Sequence, residues 1–345
     1  MHLRKQKFMN TGETNNNTFW NRLPKPFFAM APMADVTDCV FRELISKYSR
    51  HGEVGGGPDV FWTEFVSTDG LALGGRDALL VDLKFNPEIE RPIVAQLFGS
   101  NVETMEKAAA LCQELGFDGI DINMGCPDKS IEKQGAGAAM IKNPKRAREI
   151  IQAAKRGAPN LPISVKTRVG YNKVEIEEWI PQILEEGVAA LTVHARTRKE
   201  MSLVPARWEH VAEVVRMRDA MGLDTKILGN GDVKTVAEGK ILAEQTGCDG
   251  IMIGRGIFGT PWLFDTTRNE PTLRERFAIL IEHTKRYEEV LGGLKNFSIM
   301  KKHYKAYVNG FDGAKELRVE LMDAPDAKTI EGIVHRFLDE HKELV

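Results

Sequence analysis

KILGNGDVKTVAEGKILAEQTGCDGIMIGRG, residues 226–256, contains one complete unit of the fold. Two apolar runs, KILGNGD (226–232) and GIMIGRG (250–256), flank a stretch with helical spacing over 234–245. Short apolar runs bounded by glycine read as buried strands, and a helix between two of them makes the strands parallel neighbours. Each run ends in a polar, glycine-rich turn, GNGD and GRG. Glycine lets backbone N–H groups approach an oxygen closely, and a helix N-terminus adds partial positive charge. The two turns together with Arg255 therefore indicate a phosphorylated ligand.

Outward from this unit, the same alternation begins near residue 26. Six further runs read as strands: FFAMAPM (27–33), VFWTEF (60–65), PIVAQLFG (92–99), GIDINMG (119–125), PISVKTRVG (162–170) and ALTVHAR (190–196). They are almost continuously apolar, as strands buried on both faces must be. Helices are expected over 38–48, 143–156, 173–186 (interrupted or kinked at Pro181) and 206–220, and after an Asn101 N-cap, with Gly116 as the stop. Eight such units close most naturally as a (β/α)8 TIM barrel, with reactive groups at the C-terminal ends of the strands. Met33, Gln96, Asn123, Lys166, His194, Asn230 and Arg255 all stand there. The alternative, an open doubly wound sheet, lacks its early GxGxxG turn. Beyond Phe264 the pattern is helical only. The expected division is an extension over 1–25, flexible from its MHLRKQKFMN and TGETNNNT runs, a barrel over 26–266, and an all-helical domain of three or four helices over 267–345.

The 345 residues suit a barrel of about 250 plus a satellite. No apolar run approaches the ~20 residues of a membrane span, and no apolar segment follows the basic N-terminus, so a cytoplasmic location and no membrane role are expected. Cys39, Cys112, Cys126 and Cys248 lack any C-x-x-C spacing, which argues against disulfides and a metal site. The net charge of −2 excludes a broadly basic nucleic-acid binder and limits any RNA contact to a local patch.

Chemistry concentrates at two strand ends. If the phosphorylated ligand is FMN, Lys166 offers a fixed cation to the negative charge that reduced flavin carries at its pyrimidine edge, and the Gln96 amide can donate and accept there. In NMGCPDKSIEKQGAGAAM (123–140), Cys126 lies in a turn between Gly125 and Pro127 rather than on an apolar helical face. A thiol with an ordinary pKa of about 8.5 is mostly protonated at neutral pH and can give a proton to a carbanion without activation. Cys39, Cys112 and Cys248 read as small buried hydrophobes.

APMADVTD (31–38), the NMGCP turn, VKTR (165–168), TVHAR (192–196), GNGD and MIGRGIFGTPWLF (252–264) resemble, in order and spacing, the tRNA-dihydrouridine synthase family. The likeness covers roughly residues 26–310. It implies that FMN, reduced by NADPH, passes hydride to C6 of a tRNA uridine while Cys126 protonates C5. It further implies that Gln96, Lys166, His194, Asn230, Gly231, Asp232, Gly254 and Arg255 hold the flavin, with Ala31, Pro32 and Met33 against it. Asn123, Arg168 and Arg196 match positions near the uracil or the flavin. Departures are Asp35 within the first motif and Cys39 just after it, GEVGGGP (52–58) as an insertion, and KEMSLVPARW (199–208), which lacks the family's Tyr and Gly. No acidic residue lies between Val290 and Phe311, whereas Lys295, Lys301, Lys302, His303 and Lys305 do. Such a run alone reads as a solvated helix face; the resemblance makes Lys301, Lys302 and Lys305 expected RNA contacts, with Met300, Tyr304, Tyr307 and Val308 as the buried stripe. A monomer without a metal is expected. The rivals are a flavin barrel reducing a free pyrimidine, of dihydroorotate or dihydropyrimidine type, and a barrel that only binds RNA.

Overall fold

The computed structural model describes residues 18–342. Eight strands, β1 (Phe27–Met30), β2 (Phe61–Ser67), β3 (Ile93–Phe98), β4 (Gly119–Met124), β5 (Ile163–Arg168), β6 (Ala190–His194), β7 (Lys226–Asn230) and β8 (Gly250–Ile253), form one parallel sheet. Neighbours follow chain order from β2 to β8, and β8 pairs with β1. A parallel bridge between Ala29 and Val60 closes the ring, with the Asp59 N–H donating to the Phe28 carbonyl at 2.7 Å. The fold is thus the expected (β/α)8 barrel. Most strands end earlier than expected because the following glycine-rich and polar residues turn away to make the mouth.

Inward-facing residues make their own core. Phe27, Ala29, Ala31, Trp62, Val94, Leu228 and Met252 cluster in the lumen, apart from the larger layer between sheet and helices that holds Phe28, Met30, Phe61, Ile93 and Ala95. Phe19 and Trp20 join the lumen cluster, and the Trp20 ring lies 5.9 Å from both Phe27 and Trp62. This corrects the expectation of a flexible extension through residue 25. Two large aromatics bury more surface here than polar neighbours could hold open, so the chain is anchored from Phe19 onward. The MHLRKQKFMN stretch and most of TGETNNNT, residues 1–17, lie outside the described residues.

Asn101 caps the helix Val102–Glu114, its Oδ1 accepting from the Glu103 N–H at 2.9 Å. The helix Ile176–Leu184 runs through Pro181 without a break. The β2–β3 connection holds two short helices, Thr68–Ala72 and Arg76–Leu79, in place of a full one. Four C-terminal helices, Leu273–Leu291, Met300–Tyr307, Ala314–Asp323 and Ala327–Glu340, bury their apolar faces together with Cys39, Val40 and Leu44 of the barrel helix Cys39–Tyr48. Val81 from the β2–β3 connection packs on the same cluster. The expected stripe is buried throughout: Met300, Tyr304, Tyr307 and Val308 are inaccessible. No helix among the described residues is long and apolar enough to cross a membrane.

Candidate active site at the barrel mouth

A cleft of about 990 Å³ opens at the C-terminal ends of the strands. Ala31, Pro32 and Met33 after β1, Lys166 and Arg168 on β5, His194 on β6, Asn230, Gly231 and Asp232 at β7, and Gly254 and Arg255 at β8 all line it. Ser202, Val233, Lys234, Glu238, Met252 and Gly256 complete the wall. Four cationic side chains, Lys166, Arg168, Lys234 and Arg255, face two carboxylates, Asp232 and Glu238, so the cleft favours an anion.

Fixed contacts hold these groups. Lys166 Nζ donates to Asn230 Oδ1 at 3.1 Å, and Asn230 Nδ2 donates to the Met252 carbonyl at 2.8 Å. Burial, followed by the Arg168 charge, pushes the Lys166 amine down to about 8. Burial and the surrounding cations hold His194 well below the usual imidazole range, hence neutral. Arg196 Nη1 stands 3.2 Å from His194 Nε2; a guanidinium can only donate, so Nε2 accepts and the proton sits on Nδ1. Gly231 has φ +133°, and a Cβ there would meet Ala206 Cβ at 2.8 Å, so only glycine makes this turn.

The structure changes the part of several expected residues. Asp232, at φ +61°, receives Arg196 on Oδ2 and Arg255 on Oδ1 at 2.8 Å, and Oδ2 also accepts the Ala206 N–H at 2.9 Å. The Arg196 hydrogen bond chiefly depresses its carboxyl. A lasting carboxylate would repel a phosphate, so its place is to hold two arginines. Arg196 is 2% exposed and engaged with Asp232, His194 and the Val204 carbonyl. Gln96 is fully buried and does not line the cleft; its amide joins Asp121 and Asn123. Asp121 and Ser164, which complete that network, escaped the sequence reading, although an acid inside the apolar run GIDINMG was a visible signal.

Cys126 stands just outside the lining residues and is half-buried. Its turn is tied to the cleft wall: Arg168 Nε donates to the Gly125 carbonyl at 2.8 Å, and the Cys126 carbonyl accepts from the Ala138 N–H at 2.9 Å. Gly137, at φ +58°, sits so close that a Cβ would lie 2.8 Å from the Cys126 carbonyl oxygen, which explains the GAG run. Burial pushes the thiol above its ordinary value, against the lowering effect of Arg168 and Lys166. The thiol is protonated at neutral pH.

The family model described as dihydrouridine synthase matches residues 29–341. The chain belongs to the dihydrouridine synthase family. Among its relatives is a protein of Bacillus subtilis (strain 168) described as "Probable tRNA-dihydrouridine synthase 2", 41% identical over 92% of this chain and 96% of the relative. A "Probable tRNA-dihydrouridine synthase" of Staphylococcus aureus (strain MRSA252) is 40% identical over 92% and 95%. That of Staphylococcus epidermidis strain RP62A is 40% identical over 88% and 91%.

The basic patch of this dihydrouridine synthase family member is smaller than its sequence suggested. Lys295 is half-buried between Glu64 (2.5 Å) and Asp82 (2.6 Å), and His303 is inaccessible. Lys302 pairs with Asp35 at 3.1 Å, linking its helix to the β1 loop. Lys305 is exposed and Lys301 half-buried on the same helix.

Proposed function

We propose that this protein reduces uridines in tRNA to 5,6-dihydrouridine, with FMN in the mouth cleft and Cys126 as the proton donor. The observation that carries the reading is a protonated thiol on a braced turn beside an anion-favouring cleft, in a chain of this family. A cleft of this size accommodates a ligand of FMN's dimensions. The donor set fits it: Arg255 and the glycine turns at Gly231 and Gly254 for the phosphate, Lys166 for the pyrimidine edge, and Ala31, Pro32 and Met33 as an apolar wall. Bound there and reduced by NADPH, the flavin supplies hydride to C6 of the uracil ring.

The chain's own residues do the rest. Neutral His194 presents a polar group without adding a charge. Lys166 and Arg168 place positive charge where the uracil carbonyls gain electron density. Cys126 gives its proton to C5. A uridine stacked in folded RNA cannot reach these groups, so the base is extruded into the mouth. The helical region from residue 267 is proposed to hold the tRNA, with Lys301 and Lys305 meeting phosphates.

The test is purified protein, NADPH and unmodified tRNA, with dihydrouridine read by mass spectrometry. Flavin absorbance and tRNA-dependent product are expected. Cys126→Ala should keep the colour and NADPH-driven bleaching while losing about 10²–10⁴-fold in product rate. A protein that takes up no flavin, or that reduces free uracil or orotate as readily as tRNA, defeats the proposal.

A further inference from the structure

Side-chain amides can face either way, and a chain of them is held in one direction when one end can only accept and the other can only donate. Asp121, on β4 and fully buried, is such an end. Its Oδ1 takes the Ser164 hydroxyl at 2.6 Å and its Oδ2 takes Gln96 Nε2 at 2.6 Å. Gln96 must then turn Oε1 towards Asn123, whose Nδ2 donates to it at 3.1 Å. Asn123 is left with Oδ1 towards the catalytic turn, where it accepts the N–H groups of Gly125 (3.1 Å) and Cys126 (2.9 Å). Reversing both amides sets carbonyl against carboxylate at one end and NH₂ against two N–H groups at the other, and reversing either alone sets like groups together at both of its contacts.

We propose that Asp121 is a positioning residue for the proton donor: as an acceptor-only group in the lumen it anchors the Gln96–Asn123 relay in the direction that the two N–H groups of the turn carrying Cys126 require, and so holds that turn. This rests on the reading of Cys126 as the acid. It differs from a simple counter-charge role towards Lys166, which acts through space and is indifferent to the direction of two amides.

Asp121→Asn removes the acceptor-only end and its charge, leaving only the two N–H groups of the turn to orient a relay that Gln96 now grips less strongly. Asp121→Asn with Asn123→Asp supplies a new acceptor-only group beside the turn, and every donor again finds an acceptor with the relay reversed. The readout is iodoacetamide alkylation of Cys126 in the holoprotein across pH, located by peptide mass spectrometry. Asp121→Asn should raise the high-pH plateau rate about tenfold as the turn loosens. The double variant should return within about twofold of the wild type. An unchanged plateau with only a shifted midpoint, or a double variant as fast as the single, overturns the inference in favour of a charge effect. Should Asp121→Asn fail to fold, hydrogen exchange of the Gly125 and Cys126 amides in the wild type decides: protection supports the relay, and free-loop exchange overturns it. A colourless protein would defeat the proposed function while leaving the alkylation comparison readable.

Discussion

Lys166 shows how much one position depends on its surroundings. The unfolded chain carries a lysine with a pKa near 10.4, whereas burial and Arg168 bring the folded amine down to about 8. Between those values the folded state binds fewer protons than the unfolded one, so this site's contribution to stability rises with pH across that window. At neutral pH the buried ammonium is a net cost, partly offset by Asn230 and by the Asp121 charge. Lys166→Met should therefore gain about 1 kcal/mol at pH 7, fading towards pH 10, in urea unfolding. No gain at pH 7 would show that the amine is not depressed. The same variant should weaken flavin retention, which separates the ligand role from the stability cost. Lysine inside ISVKTRVG already pointed to a buried cation; of the groups that set its pKa, Arg168 shares its strand, whereas its burial and the approach of Asp121 from β4 come only when the strands assemble.

At the scale of elements, β7 and the loop before the helix Glu209–Ala220 depend on each other. Trp208 Nε1 donates to the Gly231 carbonyl at 3.1 Å while its ring covers Gly229, where a Cβ would meet Cζ3 at 2.1 Å. Gly229→Ala should cost about 1–3 kcal/mol by overpacking, and the displaced indole should loosen the turn proposed to hold phosphate. Denaturation with a parallel flavin-retention assay checks both; a stable variant with normal retention refutes the coupling. The helix Met300–Tyr307 carries a second prediction. Lys301→Glu with Lys305→Glu should weaken tRNA binding and lower the slope of log affinity against log salt by about 2, leaving NADPH-driven flavin reduction unchanged. Unaltered affinity would move RNA recognition elsewhere. Its buried face followed from periodicity alone, but the partners of Lys295 and Lys302 did not. Glu64, Asp82 and Asp35 are more than 200 residues away in the chain.

For the whole molecule, Lys295 is the pin between the helical region and the barrel. It reaches two barrel carboxylates with only 10% of its side chain exposed, and Glu64 keeps a second bond through its Oε1 to the Asp35 N–H at 2.5 Å. Lys295→Met would leave the buried Glu64 and the half-buried Asp82 with no cation, and removing one member of a buried pair costs about 3–5 kcal/mol. Burial already pushes Glu64 up to about 7 against the lowering effect of Lys295, so in the variant the carboxyl is raised further and should take a proton, recovering part of this loss, as pH falls from 8 to 6. Unfolding curves at pH 6 and pH 8 test this: the deficit should be larger at pH 8, and an equal deficit at both rejects the account. Arg286 with Glu43, and Lys47 and Tyr48 with Glu282, cross the same boundary near the surface, where screening makes them weaker.

Strand number, barrel closure, the glycine turns and the placing of Cys126 in a strand-end turn could be read from residue order, because burial on both faces, tight turns and unusual polar positions are local properties that leave local marks. GNGD and NMGCP are such marks. The roles of Asp232, Arg196, Gln96 and Lys295 could not be read that way. The first three were placed at the flavin or the substrate, and Lys295 only counted in the basic run, from residue type and place in the chain; the partners each of them meets come from another strand or helix. Whether a charge meets ligand, solvent or a buried counter-charge depends on three-dimensional neighbours, and chain order carries no record of those distances.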